Sequence, residues 1–234
     1  GGFNLDRTQV GVTPTTSDTS FPGEFVDSYE LGAKTTWAGG NLLLNGALFH
    51  QTYSDFQLNS FLGTSFVVRS IPDVTSQGVD AELLWQRNGL MLQAGLTYAD
   101  TKYGNDLLPD ADLALLPGSR TSFAPKWSGT ASVGYEWDIG GNLRASAYLG
   151  AKVMSEYHTG SDLDPEKRQD GYTLVNARMT LGRRDGRWDV ELWAQNLTDA
   201  EYVQVAFDAP LQAGSWNAFL GAPRTYGASF RLRF

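Results

Sequence analysis

At 234 residues the chain can hold one large or two small domains, and its net charge of −8 excludes nucleic acid as a partner, because phosphate binding needs clustered cations. Hydrophobic residues make up 41%, yet no run approaches the roughly 20 apolar residues of a membrane helix, which excludes a helical membrane protein. The chain is rich in aromatics (7 Trp, 10 Tyr, 12 Phe) and in Gly (26), and it lacks Cys. It opens on Gly1-Gly-Phe-Asn, without a charged–apolar–small leader, so a processed or truncated chain is expected.

Period-two alternation predicts strands at about 28–37, 41–58, 77–86, 90–103, 126–138, 142–158, 172–183, 187–207 and 224–234. Four of the connections, Ala38-Gly-Gly-Asn41, Arg87-Asn-Gly89, Gly140-Gly-Asn142 and Arg184-Asp-Gly-Arg187, are short turns that reach positive φ cheaply. Between them lie long connections at about 59–76, 104–125, 159–171 and 208–223. Short and long links alternate, the pattern of an all-β, antiparallel transmembrane β-barrel with short turns on one side and long loops on the other.

The faces support this reading. In 126–138, Trp127, Ala131, Val133, Tyr135 and Trp137, continuing to Ile139, oppose Ser128, Thr130, Ser132, Glu136 and Asp138. In the strand at 142–158, Leu143, Ala145, Ala147, Leu149, Ala151 and Val153 oppose Arg144, Ser146, Lys152 and Glu156. Small apolar residues suit a lipid-facing surface, whereas a close-packed core would be filled with larger groups. Trp37, Trp85, Trp137 and Trp188 each stand on the apolar face beside a short turn, as an interfacial girdle requires. The final stretch alternates Tyr226, Ala228, Phe230, Leu232 and Phe234 against Gly227, Ser229, Arg231 and Arg233. Asp189 and Glu191 are expected level with Arg231 and Arg233 on the wet face.

Asp27-Ser-Tyr-Glu-Leu-Gly-Ala-Lys34, Ala124-Pro-Lys-Trp-Ser128, Asn196-Leu-Thr-Asp-Ala-Glu-Tyr202 and Gly221-Ala-Pro-Arg-Thr-Tyr-Gly227 together resemble the C-terminal part of the barrel of TonB-dependent outer-membrane receptors, the last two stretches and Phe234 most specifically. The resemblance spans nearly the whole chain. It implies that residues 1–234 are about nine to ten strands of a 22-stranded barrel, with the plug domain and the N-terminal strands absent from this chain. Gly1-Gly-Phe-Asn resembles the outer end of the preceding strand. The implied function is energised uptake of a scarce nutrient, such as a siderophore, cobalamin or saccharide, across the Gram-negative outer membrane. Implied partners are outer-membrane lipid, the remainder of the receptor, TonB through the missing plug, and the barrel-assembly machinery. Thr225, Gly227, Phe230, Leu232 and Phe234 match the family's terminal assembly signal. The alternative is a passive or structural barrel assembled with another chain.

No catalytic residue, cofactor site or metal site is expected. His50 and His158 have no legible carboxylate–Ser grouping, and no zinc spacing or phosphate loop is present. Asp162, Asp164 and Glu166, like Asp110 and Asp112, read as solvated acidic loops, since no Gly-fixed calcium-loop pattern surrounds them. Asn196-Leu-Thr198 matches a glycosylation sequon incidentally. Phe61, Phe66, Phe123, Trp216 and Phe219 lie in or beside long loops and are the candidate ligand-binding residues; packing of loop on loop is the competing role.

Overall fold

The computed structural model describes residues 1–4, 20–61, 66–106, 108 and 113–234. Asp110 and Asp112 lie outside the described residues. In chain order the strands are β1 (Gly2–Phe3), β2 (Ser20–Phe21), β3 (Phe25–Trp37), β4 (Leu42–Phe61), β5 (Phe66–Arg87), β6 (Leu90–Tyr103), β7 (Trp127–Gly140), β8 (Leu143–Met154), β9 (Tyr157–His158), β10 (Arg168–Gln169), β11 (Tyr172–Arg183), β12 (Trp188–Gln195), β13 (Val203–Asp208), β14 (Trp216–Leu220) and β15 (Thr225–Leu232). Among the described residues nine of them form one antiparallel sheet, in the order β15-β12-β11-β8-β7-β6-β5-β4-β3. Each of the nine pairs with the next of the nine along the chain, so the sheet is a meander whose edges, among the described residues, are β3 and β15. This is part of a barrel wall. No helix among the described residues is long and apolar enough to cross a membrane.

Register places one chemistry on each face. Leu31 opposes Leu48, Leu48 opposes Val79, Val79 opposes Tyr98 and Tyr98 opposes Trp127. Nearer the short turns, Ala94, Ala131, Ala151 and Val175 form a second row. Much of this face is open: Leu31 is 75% and Leu48 56% exposed. An apolar band of this kind is unfavourable in water and suited to lipid. The opposite face carries Lys34, Asn45, Glu82, Thr130 and Lys152 in one register row. They line a trough of mixed charge with Glu30, Asp80 and Thr97.

The four rim tryptophans share the apolar face. Trp37 opposes Leu42, which opposes Trp85; Trp137 opposes Ala145, which opposes Leu181, which opposes Val190, two residues from Trp188. The short turns are built as expected. Asn88 and Gly89 both take positive φ (50° and 81°), the combination whose twist matches that of the flanking strands.

Three expectations are corrected. First, much of the expected loop 59–76 is strand, since β4 and β5 remain paired to Phe61–Phe66. The sequence conceals this because alternation breaks at Asp55 and Pro72. Asp55 takes φ 54°, and the ladder resumes with Phe56 opposite Ile71. Tyr53 and Phe56 therefore pack against one core, although they are three residues apart. Second, the expected strand 187–207 stops at Gln195. Asn196 takes φ 48°, its amide nitrogen donates to the carbonyls of Ala200 and Ala222, and its carbonyl oxygen accepts from the Ala200 N–H. A short polar side chain has replaced the ladder there. Both groups of the buried amide are engaged, in keeping with an incidental sequon. Third, 203–220 is a separate hairpin, β13 paired with β14.

Candidate functional site

The long-loop end of the wall has its own core. Leu58, Ile71, Val74 and Tyr103, on the lumen side of the strands, pack against Leu113 and Leu116 of the 104–126 segment and Leu163 of the 159–171 segment. The 104–126 segment runs back along β6 through Tyr103 N–H to Ser119 O (3.0 Å), Thr121 N–H to Thr101 O (3.1 Å) and Ala99 N–H to Lys126 O (3.0 Å). These bonds continue the backbone pairing of β6 onto residues 119–126.

Beside this core opens a cleft of about 430 Å³, within the size range of small-ligand sites. Tyr53, Phe56, Tyr103 and Phe123 form its aromatic walls, and Ser76, Thr101, Thr121 and Ser122 supply hydroxyls. The Ser76 and Thr101 hydroxyls are 2.8 Å apart and hydrogen-bonded. The Tyr103 phenol is buried, and a tyrosine hydroxyl is neutral at physiological pH.

A second construction closes the loops on each other. Lys167, 1% exposed at its side chain, donates to Asp162 at 2.5 Å and is paired with Asp208 of β13 at 2.6 Å; Asp164 lies 4.0 Å away. Burial pulls its ammonium down, but the hydrogen bonds to Asp162 and Asp208 outweigh this, and the net shift is upward. Asp162, Asp164 and Asp208 hold oxygens within 4.8 Å of one another, and the cation among them is the protein's own. Asp164 and Glu166 remain solvated, as expected of an acidic loop, whereas Asp162 is taken into the ion pair. Ala206 N–H donates to Thr159 O (2.9 Å), Val203 N–H to Gln169 Oε1 (2.7 Å) and the Tyr157 hydroxyl to Val203 O (3.3 Å). Tyr202 stacks on Tyr172 at 4.5 Å. The β13–β14 hairpin is thereby tied to the 155–171 segment.

The five sequence-selected aromatics separate into three places. Phe61, Phe66 and Phe219 meet through Phe207, with Phe61–Phe66, Phe61–Phe207 and Phe207–Phe219 centroids at 4.9, 5.2 and 6.0 Å. This cluster joins the β4–β5 tip to the β13–β14 hairpin. Trp216 donates from Nε1 to Glu166 (3.3 Å), and Phe123 lines the cleft. Sequence reading missed Phe207, Tyr53, Phe56, Tyr103 and Lys167, because their roles depend on contacts between distant segments. The available signal was the lumen-side parity of Tyr53, Ser76, Thr101 and Tyr103. His50 opposes Tyr29 and Gln77 on the lipid side, while His158 pairs with Arg168 in the external segment, so the two are not brought together.

On β15, Phe230 and Leu232 continue the exposed apolar face, and Phe234 follows the end of the strand. Thr225 opposes Gln195 and Gly227 opposes Trp193. Asp189 opposes Arg231 and pairs with it at 3.2 Å; Glu191 faces Ser229 instead of an arginine, and Arg233 N–H donates to Arg187 O.

A meander with a lipid-suited outer face, a polar trough inside, short turns at one rim and interlocked loops at the other defines a segment of an outer-membrane β-barrel. The family model "TonB dependent receptor-like, beta-barrel" matches residues 2–197, and the chain belongs to that family. No curated protein matches the chain. Among solved structures, the ferric yersiniabactin uptake receptor FyuA from Yersinia pestis is similar over 96% of this chain and 32% of its own, with TM-score 0.77 and 21% identity. The ferric-catecholate import receptor Fiu from E. coli K12 (TM-score 0.66, 19% identity) is covered over 97% of this chain and 30% of that one. BauA, the ferric preacinetobactin receptor from Acinetobacter baumannii (TM-score 0.66, 17% identity), is covered over 95% and 31%. The chain thus spans about a third of the length of each, and at these identities the likeness is one of fold.

Proposed function

We propose that residues 1–234 are the C-terminal portion of the barrel of an outer-membrane import receptor, whose earlier strands and plug belong to the remainder of the same receptor. In this reading the receptor takes up a scarce nutrient, an iron chelate foremost, with energy delivered through TonB. The observation that carries the reading is the lumen-side cleft of Tyr53, Phe56, Tyr103 and Phe123, beside a core that the β4–β5 tip shares with the 104–126 and 159–171 segments, above a lipid-facing wall. Membership in a family of transport receptors and likeness to three ferric-chelate receptors support it. Gram-negative outer-membrane residence and assembly through the β15 signal belong to the same proposal.

The test is uptake by the full-length receptor containing this wall, in iron-limited cells with and without TonB. Uptake lost without TonB is the expected result. Undiminished uptake without TonB would favour a passive barrel.

A further inference from the structure

Resting on that reading, we infer that this wall selects the uncharged aromatic portion of a ligand and discriminates against an anionic one. Among the described residues lining the cleft, none carries a formal charge at neutral pH: four aromatic rings, four hydroxyl side chains, Leu58, Val74 and Asn59 make up the surface. Two cations of the neighbouring loops are paired with carboxylates away from the cleft. Lys167 is held by Asp162 and Asp208, and Arg120 lies 3.8 Å from Glu156. Arg69 stands opposite Leu58 and is not part of the cleft surface.

Three physical consequences converge. A desolvated carboxylate without a cation is strongly disfavoured, so an anionic ligand placed here would lose hydration with no cation to offset it. Ring faces are the negative pole of the aromatic quadrupole, and they favour another ring's edge or a cation over an anion. The Ser76–Thr101 pair spends one hydroxyl proton internally, leaving one proton and several lone pairs to meet the donors and acceptors of a neutral ligand. Ser76, Thr101 and Thr121 are therefore the specificity-determining hydroxyls, and Phe123, exposed at the rim, is the point where charge selection can be altered.

The experiment compares salicylamide with salicylate, which share one ring and differ by an amide against a carboxylate, as ligands of the full-length receptor in detergent by ligand-observed NMR. The expected result is salicylamide binding about tenfold more tightly. Phe123→Lys should bring the two to within about twofold, since it supplies the missing cation at an exposed position. Thr101→Val should weaken salicylamide while a thermal melt shows the receptor still folded. Equal or tighter salicylate binding by the native receptor overturns the inference and leaves TonB-dependent import untouched. Binding of neither probe, or salicylamide binding that is insensitive to both substitutions, also overturns it. Loss of TonB dependence would sink the import reading without moving the probe preference.

Discussion

Lys167 of the 159–171 segment meets Asp208 of β13 across 2.6 Å, with 1% of its side chain exposed. One ammonium thus joins two loops that are 41 residues apart in sequence, the difference between positions 208 and 167. Lys167→Ala would leave Asp162, Asp164 and Asp208 clustered without their cation, at a local cost of about 3 kcal/mol. Hydrogen exchange should accelerate in 157–169 and 203–220, while β6, β7 and β8 remain protected. Unchanged exchange in the hairpin would show that the aromatic contacts suffice to hold it.

The same latch has a defined pH window. The Lys167 ammonium lies above its ordinary value of 10.5 once folded, so the proton is bound more tightly in the folded than in the unfolded state. Its stabilisation is complete below pH 10.5 and is lost as pH rises through the raised folded value. Limited proteolysis at 203–220 should therefore be constant from pH 7 to 10 and increase above pH 10.5 only in the native receptor, not in Lys167→Met.

Ala131 and Ser132 are neighbours on β7 with opposite surroundings. Ala131 opposes Ala94 and Ala151 on the apolar face, whereas the Ser132 hydroxyl reaches Gln93 on the lumen side. Ala131→Arg should cost about 2–4 kcal/mol of stability in lipid, and Ser132→Arg much less. Chemical denaturation of the full-length receptor in vesicles measures the difference; equal losses would overturn the facing.

Gly227 lies beneath the Trp193 ring. A Cβ there would stand 2.7 Å from Cζ2, while Trp193 Nε1 donates to Ser229 at 3.3 Å. An aromatic laid over a bare strand glycine is a packing pair. Gly227→Ala should cost about 1–3 kcal/mol, and Trp193→Ala in the same chain should recover much of it. Heat-modifiable gel mobility reports barrel assembly. Recovery in the double variant assigns Gly227 to packing, whereas continued failure assigns it to recognition by the assembly machinery.

The wall was largely legible in the residues. Trp127 to Ile139 and Leu143 to Val153 show which face meets lipid because a strand reverses its side chain at every residue, and lipid filters one set. The turn at Asn88-Gly89 was equally plain, as few residue types tolerate positive φ. The site was less so. Asp55 and Pro72 resemble loop residues, yet they mark a parity change inside a continuing hairpin. Phe61, Phe66 and Phe219 were visible as loop aromatics, but their common partner Phe207 sat in what read as a membrane strand.

Alternation, turn chemistry and the tryptophan rim by themselves determined a transmembrane antiparallel wall, because these are local properties and each residue's environment follows from its parity. Only the tertiary structure decided that Lys167 pairs with Asp162 and Asp208, that the β13–β14 hairpin leans on the β4–β5 tip, and that Tyr53, Phe56, Tyr103 and Phe123 share one uncharged cleft. Those contacts join segments separated by loops, whose closure is an entropic cost with no local sequence signature.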